Sequence, residues 1–270
     1  MRTTTDISAH TRAEILGVSE ATVYYRRKMD ARDHALRRQI EEVLHRYPSY
    51  GHKRIARELK RNKKPVLRVM KKFGIRPYRR RGKKWRRAKP QSEQYPNLLR
   101  LVTPSYEGCV WAADFTHLAF KDKDVCLATV IDLFSRKVMG AAVSLSHGAP
   151  LVIQAFANAL LTNGRPAIFH SDNGSEYHAK PFRLLLEKLG TAISRSKKGC
   201  PWENGYQESF YNQFKIDLGD PNRFKTLGEL TAAIYETLYR YNTERIHSAL
   251  RMPPAQFARL HARATMKSFV

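Results

Sequence analysis

Three acids stand where carboxylates could do phosphate chemistry. Asp114 lies inside the run "CVWAADFTHLAF", Asp172 follows the apolar "PAIF" in "HSDNGSEY", and Glu208 sits in "NGYQESFYNQFK". Asp172 and Glu208 are separated by 35 intervening residues. Carboxylates gathered in one site raise each other's pKa, a cost that divalent cations remove. Mg²⁺ takes hard oxygen ligands in octahedral geometry and keeps positions open for water and phosphate. Two such ions, about 3.5–4 Å apart, would clamp the attacking and leaving oxygens of an in-line phosphoryl displacement. The expected cofactor is therefore Mg²⁺ or Mn²⁺, two ions per active site. Taken singly, each acid also reads as a turn or surface residue, and Asp172 could simply end its strand in an Asx-type turn.

The elements that must position these acids follow residue 105. "CVWAADFTHLAF", "VCLATVIDLF" and "RKVMGAAVSL" read as three sequential strands, expected by their turn residues to form an antiparallel meander. "PLVIQAFANALLTNG" reads as a helix, "AIFH" as a strand, "PFRLLLEKLG" as a helix and "TAISRS" as a strand. The loop "KKGCPWENG" then leads into the helix that carries Glu208. This order predicts an α/β ribonuclease-H-like core, a mixed five-stranded sheet flanked by helices. It places Asp114 within the first strand, Asp172 at the end of the fourth and Glu208 on the helix after the last. On that helix, at about 100° per residue, Asn204, Tyr211 and Lys215 fall within roughly 60° of Glu208, whereas Glu203 lies about 140° away. Glu208 is therefore the expected catalytic acid and Glu203 is not, while Asn204 and Lys215 are expected to touch DNA.

Lys and Arg number 49 against 24 Asp and Glu, a formal net charge of +25. So large an excess points to a polyanion, most often nucleic acid. No basic amphipathic helix suits a membrane surface, and no apolar run approaches the ~18 residues of a span. Cys109, Cys126 and Cys200 form no CxxC pair, which fits a reducing cytoplasm. The charge concentrates in "RPYRRRGKKWRRAK", nine basic residues from Arg76 to Lys89 without an acid. Such a block reads as a linker or basic arm, with Arg79, Arg80, Arg81, Lys83, Lys84, Arg86 and Arg87 as expected DNA contacts. Arg195, Lys197 and Lys198, in the loop before the Glu208 helix, are expected to meet DNA backbone.

Upstream, "RAEILGVSEATVYYRRK" reads as a helix, a turn at Gly17 and a second helix capped by Ser19, with Ala13 and Val23 as the small and buried residues of a helix-turn-helix. Ser19, Thr22, Tyr24, Arg26 and Arg27 are its expected DNA contacts. Leu36 and Ile40, then Ile55 and Leu59, then Leu67, Met70 and Phe73, mark further helices packed as core. The expected organisation is an all-α DNA-binding region over 1–75, a basic linker over 76–104, the catalytic core over 105–220 and a C-terminal helical extension over 221–270. Asp132 is expected to cap a turn. His170, two residues before Asp172, could either approach the site or pack.

"WAADFT", "HSDNGSEY" and "NGYQESFYNQFK", with their spacing, resemble the DDE catalytic core of bacterial insertion-sequence transposases, relatives of retroviral integrases. "IDLFSRKVMG" resembles the family's second and third strands, and "YNTERIHSALRMPPAQF" its C-terminal signature. The N-terminal "LGVSEATVYYRR" and "YPSYGHKRIARELKRN" resemble the helical DNA-binding region of the family's catalytic reading frame. The resemblance implies cleavage at terminal inverted repeats, joining of the 3′-hydroxyl to target DNA, and assembly as a homodimer or higher oligomer on DNA. The alternatives are a metal-dependent nuclease without strand transfer and a domesticated DNA-binding regulator. With no long heptad segment in this chain, a protein from an upstream frame is a further expected partner. The expected setting is the bacterial cytoplasm, on the nucleoid when DNA is bound. No cysteine precedes Cys109, so the His/Cys zinc module of retroviral integrases is absent.

Overall fold

A computed structural model describes residues 8–24, 28–79, 95–196 and 204–267. Two compact units emerge: residues 1–46 with 50–76, and residues 47–49 with 77–270.

The first unit is helical: α1 (Ala9–Leu16), α2 (Glu20–Tyr24), α3 (Lys28–Arg46), α4 (His52–Glu58) and α5 (Lys63–Lys72). Gly17 closes α1 with φ 61°, the left-handed conformation that glycine adopts without strain. Ala13 is buried, Val23 is half-buried, and Ser19 Oγ lies 2.9 Å from Thr22 Oγ1. In α3 to α5 the apolar stripes close on Leu36, Ile40, Val43, Ile55, Val66, Val69 and Met70. Leu59 and Leu67 are only half-buried, so Val66 and Val69 fill space the sequence reading had given to Leu67. Asp33 is buried and accepts two hydrogen bonds from the Arg68 guanidinium, at 2.8 and 2.7 Å, and one from Lys72 at 2.9 Å. Those partners, Arg68 first, hold its carboxyl below the usual range.

The second unit is built on β1 (Val110–Phe120), β2 (Lys123–Asp132), β3 (Val138–Ser144), β4 (Ile168–Ser171) and β5 (Ala192–Arg195). Their order across the sheet is β3-β2-β1-β4-β5. β1, β2 and β3 form an antiparallel meander, while β4 runs parallel to both β1 and β5. This is the ribonuclease-H-like arrangement. The chain also forms α6 (Ala149–Asn163), α7 (Ser175–His178), α8 (Lys180–Lys188), α9 (Gly205–Leu218), α10 (Leu227–Thr243) and α11 (Pro254–Lys267).

Strand alternation sends side chains to two faces, and each face has its own core. On one, Ala113, Cys126, Ala128 and Val130 meet Val152, Ala155, Phe156 and Ala159 of α6 and Phe182 and Leu186 of α8. On the other, Leu118, Phe120, Val125 and Leu127 meet Phe210, Tyr211 and Phe214 of α9 and Leu230, Ile234 and Leu238 of α10. The C-terminal segment that the sequence suggested as an extension therefore helps close the core through α10. The upstream boundary moves as well. Leu98, Leu99 and Val102 pack against Val110, Ala112 and Ile168, and the Leu98 amide donates to Ser194 Oγ at 2.9 Å. The Arg195 amide donates to the Pro96 carbonyl at 3.1 Å. The chain from Tyr95 thus covers the outer edge of β5, which would otherwise expose unpaired backbone groups.

Candidate functional site

The β1–β4 register places two of the acids. Trp111 pairs with Phe169 and Ala112 with His170 in parallel, so two residues further on Asp114 and Asp172 draw level where β4 ends. The Gly174 amide donates to Asp172 Oδ1 at 2.9 Å, the Asx-type turn that the sequence allowed. Turn and acidic site coexist here, because this bond leaves Oδ2 available.

The third acid arrives on α9, which is pinned across β1 and β2 by residues one turn apart. Gln207 Nε2 donates to the Ala112 carbonyl at 2.6 Å, and Tyr211 OH donates to the Asp114 carbonyl at 2.6 Å. Thr129 on β2 meets both, at 3.3 Å from Gln207 Oε1 and 2.9 Å from Tyr211 OH. Gln207 and Tyr211 are thus the anchors that bring Glu208, on the exposed side of the same turn, toward Asp114. Sequence reasoning did not name Gln207, and it placed Tyr211 on the Glu208 face without assigning it this anchoring role. Their signal was available: polar residues at i and i+4 on the helix face that must meet the sheet.

The acids also act on one another's electrostatics. Burial first, then the charge of Asp172, and then those of Glu176 and Glu208 push the Asp114 carboxyl up to about 7, against a hydrogen bond from the Phe115 amide. Burial also raises Asp172, with the Gly174 amide and the Arg195 charge opposing it. Glu176 is an acid of this neighbourhood that the sequence reading did not single out.

Other expected residues fall differently. Arg195 is not in a solvated loop; it ends β5 and is 2% exposed. Its guanidinium donates to Ser171 Oγ at 2.7 Å and to the Tyr177 carbonyl at 2.9 Å, so it lies within the core rather than against DNA backbone. Burial lowers its pKa to about 10, still leaving it charged at neutral pH. Arg195→Ala is expected to cost about 3 kcal/mol and to lower Tm by roughly 10 °C, with the salt dependence of DNA binding unchanged. A shallower salt slope at unaltered Tm would instead return Arg195 to the DNA surface.

Asn204 is buried at the start of α9, which removes it from direct DNA contact. Lys215 Nζ donates to the His117 carbonyl at 2.8 Å, so its ammonium is held against β1. Asp132 caps its turn as expected, accepting from the Ser135 amide and hydroxyl and from the Gly108 amide. His170 packs: it is fully buried, its Nδ1 2.8 Å from Ser194 Oγ. Ser19, Thr22, Tyr24 and Arg79 are exposed. Arg26, Arg27, Arg80, Arg81, Lys83, Lys84, Arg86, Arg87, Lys197, Lys198 and Glu203 lie outside the described residues. No described helix is long and apolar enough to cross a membrane.

The sheet order and the family matches together give a class: the DDE polynucleotidyl transferases. Two models, each described as an integrase core domain, match residues 105–201 and 189–254. The transposase for insertion sequence element IS904 of Lactococcus lactis is 33% identical over 226 residues, 80% of this chain and 89% of that one. An uncharacterised 31.7 kDa protein of insertion element IS407 from Burkholderia multivorans is 27% identical, across 98% of this chain and 95% of its own. The chain belongs to the insertion-sequence transposases; it is a DNA transposase. Among solved structures, the HTLV-2 integrase catalytic core domain in complex with magnesium is similar at 22% identity, covering 57% of this chain and 97% of that one, with a TM-score of 0.44.

Proposed function

We propose that this transposase cleaves DNA at the ends of its element and joins the freed 3′-hydroxyl to target DNA, with Asp114, Asp172 and Glu208 holding two divalent cations. The β1–β4 register carries the reading, since it brings two half-buried carboxylates level with no basic side chain hydrogen-bonded to either among the described residues. An all-oxygen donor set of this kind suits Mg²⁺ or Mn²⁺. When bound, the cations supply activation of the attacking hydroxyl and stabilisation of the departing oxygen. The chain itself supplies placement: Gln207 and Tyr211 fix the height of Glu208, and the Gly174 amide fixes the rotamer of Asp172. Ser19, Thr22 and Tyr24, with the basic block from Arg79 to Arg87, are assigned to DNA. The terminal inverted repeats, a target duplex, a second protomer and a protein from an upstream frame are its partners.

The test is a coupled cleavage and strand-transfer assay on labelled element ends. Mg²⁺ or Mn²⁺ should support both steps and EDTA should stop both. Cleavage without joining would favour a plain nuclease, and full cleavage in EDTA would remove the cations from the reading.

Asp114 gives a second check. Its folded pKa, about 7, is raised from 3.8. Between those values the folded protein keeps a proton that the unfolded chain has lost, so stability present at low pH is lost as pH rises through about 7. The cation-free protein should therefore show Tm falling between about pH 4 and pH 7 and levelling above that, and saturating Mg²⁺ should remove most of the fall. A flat Tm without cation would mean that Asp114 is not buried among like charges.

A further inference from the structure

Glu176 is the second residue of α7, just after the Asp172–Gly174 turn, and its side chain is 5% exposed. Its Oε2 accepts from Ser175 Oγ at 3.2 Å and lies 3.7 Å from His147 Nε2, beyond hydrogen-bond range. Its Oε1 is buried and has no hydrogen-bond partner among the described residues. That oxygen folds back over Gly174. A Cβ on the glycine would come within 1.9 Å of Glu176 Oε1 and 3.1 Å of Asp172 Oδ1. Gly174 has an ordinary φ of −62°, so a side chain here would meet the Glu176 carboxylate rather than any backbone strain. The missing side chain lets oxygens of two carboxylates share one small volume.

A buried carboxylate oxygen without a donor is unfavourable, and a neighbouring carboxylate makes it more so. His147 faces only the other oxygen, and Arg195 spends its described hydrogen bonds on Ser171, Ser194 and Tyr177. A cation in front of Gly174 would satisfy both carboxylates at once. We propose that Glu176 is a fourth carboxylate of the cation site, contributing Oε1 to the shell of the ion held by Asp172. This rests on the reading of Asp172 as a metal ligand given above.

The probe is Mn²⁺ alone, titrated calorimetrically into the full chain without DNA, with thermal melts alongside. Glu176→Gln preserves shape and removes the charge. It should weaken Mn²⁺ about tenfold, raise the Tm of the cation-free protein and shrink the Tm gain that Mn²⁺ confers. A merely structural glutamate would not reverse sign in this way. Asp172→Asn is the control. If Asp172→Asn loses Mn²⁺ while Glu176→Gln binds it like wild type, the proposal alone is overturned. If Asp172→Asn binds Mn²⁺ unchanged, the ligand assignment of Asp172 fails and this inference fails with it. Should Glu176→Gln not fold, Glu176→Asp keeps the charge but withdraws Oε1 by one methylene. It carries the same expected loss of affinity, and unchanged affinity overturns the proposal.

Discussion

Asp172→Asn is expected to lower cleavage of an element end by about a thousandfold or more, equivalent to about 4 kcal/mol of transition-state stabilisation, while DNA binding persists. The amide keeps the size of the carboxylate, and its Oδ1 can still accept the Gly174 N–H that shapes the turn. It lacks the charge that a hard cation requires. Glu208→Gln should behave alike, since Gln207 and Tyr211 rather than Glu208 hold α9 to the sheet. Gel shifts and cleavage on one labelled end measure both effects. Glu203→Gln completes the comparison and should retain substantial activity. An inactive Glu203→Gln beside an active Glu208→Gln would overturn the assignment.

Gly140→Ala is expected to be the most damaging single methyl group in the sheet. β3 runs beneath α6 so closely that a Cβ at this position would sit 2.4 Å from the Ala155 carbonyl oxygen and 2.5 Å from the Ala159 nitrogen. Those are backbone atoms of a helix, so no rotamer change relieves the clash. Ala155 and Ala159 are themselves small and fully packed. Either the helix lifts from the core or the strand bends, and overpacking of this kind costs about 3 kcal/mol. Tm should drop by roughly 10 °C, which differential scanning calorimetry reads directly. A drop of less than about 2 °C would mean that α6 is not seated as described.

Much of this fold could be read in advance because its periodicities are strong. The Val- and Ala-rich runs of β1 to β3 and the Pro- and Gly-bounded helices stand nearly where their patterns put them. The elements that carry the three acids were legible as well: Asp114 lies within an apolar strand, Asp172 directly follows one and Glu208 sits on the helix after the last strand. Arg195 was not, because a basic residue beside "KK" looks solvated until β5 is seen to continue through it and Ser171 and Tyr177 to receive it. Glu176 hid for a related reason. In "NGSEY" it looks like ordinary turn polarity, and only the fold back over Gly174 buries it. The packing of Leu98 and Leu99 was also out of reach, since short apolar pairs carry no period and their partner, the β4–β1 end of the sheet, is assembled from distant sequence.

The chain visits the catalytic unit before it has finished the helical one: Tyr47, Pro48 and Ser49 belong to the former, although the residues on either side belong to the latter. Ser49 accepts from the buried Arg245 guanidinium, which also binds Gln213 and pairs with Asp217, and Tyr47 OH reaches Glu244. Residues 47–49 are therefore part of the catalytic unit although the sequence on either side of them is not. A chimera that takes another element's N-terminal helices and splices them at the basic block would carry away three residues that the catalytic unit uses to satisfy its own interior. Exchange of specificity between such elements should succeed only when the junctions spare this tripeptide, with donor helices entering before Tyr47 and again between Tyr50 and Arg76.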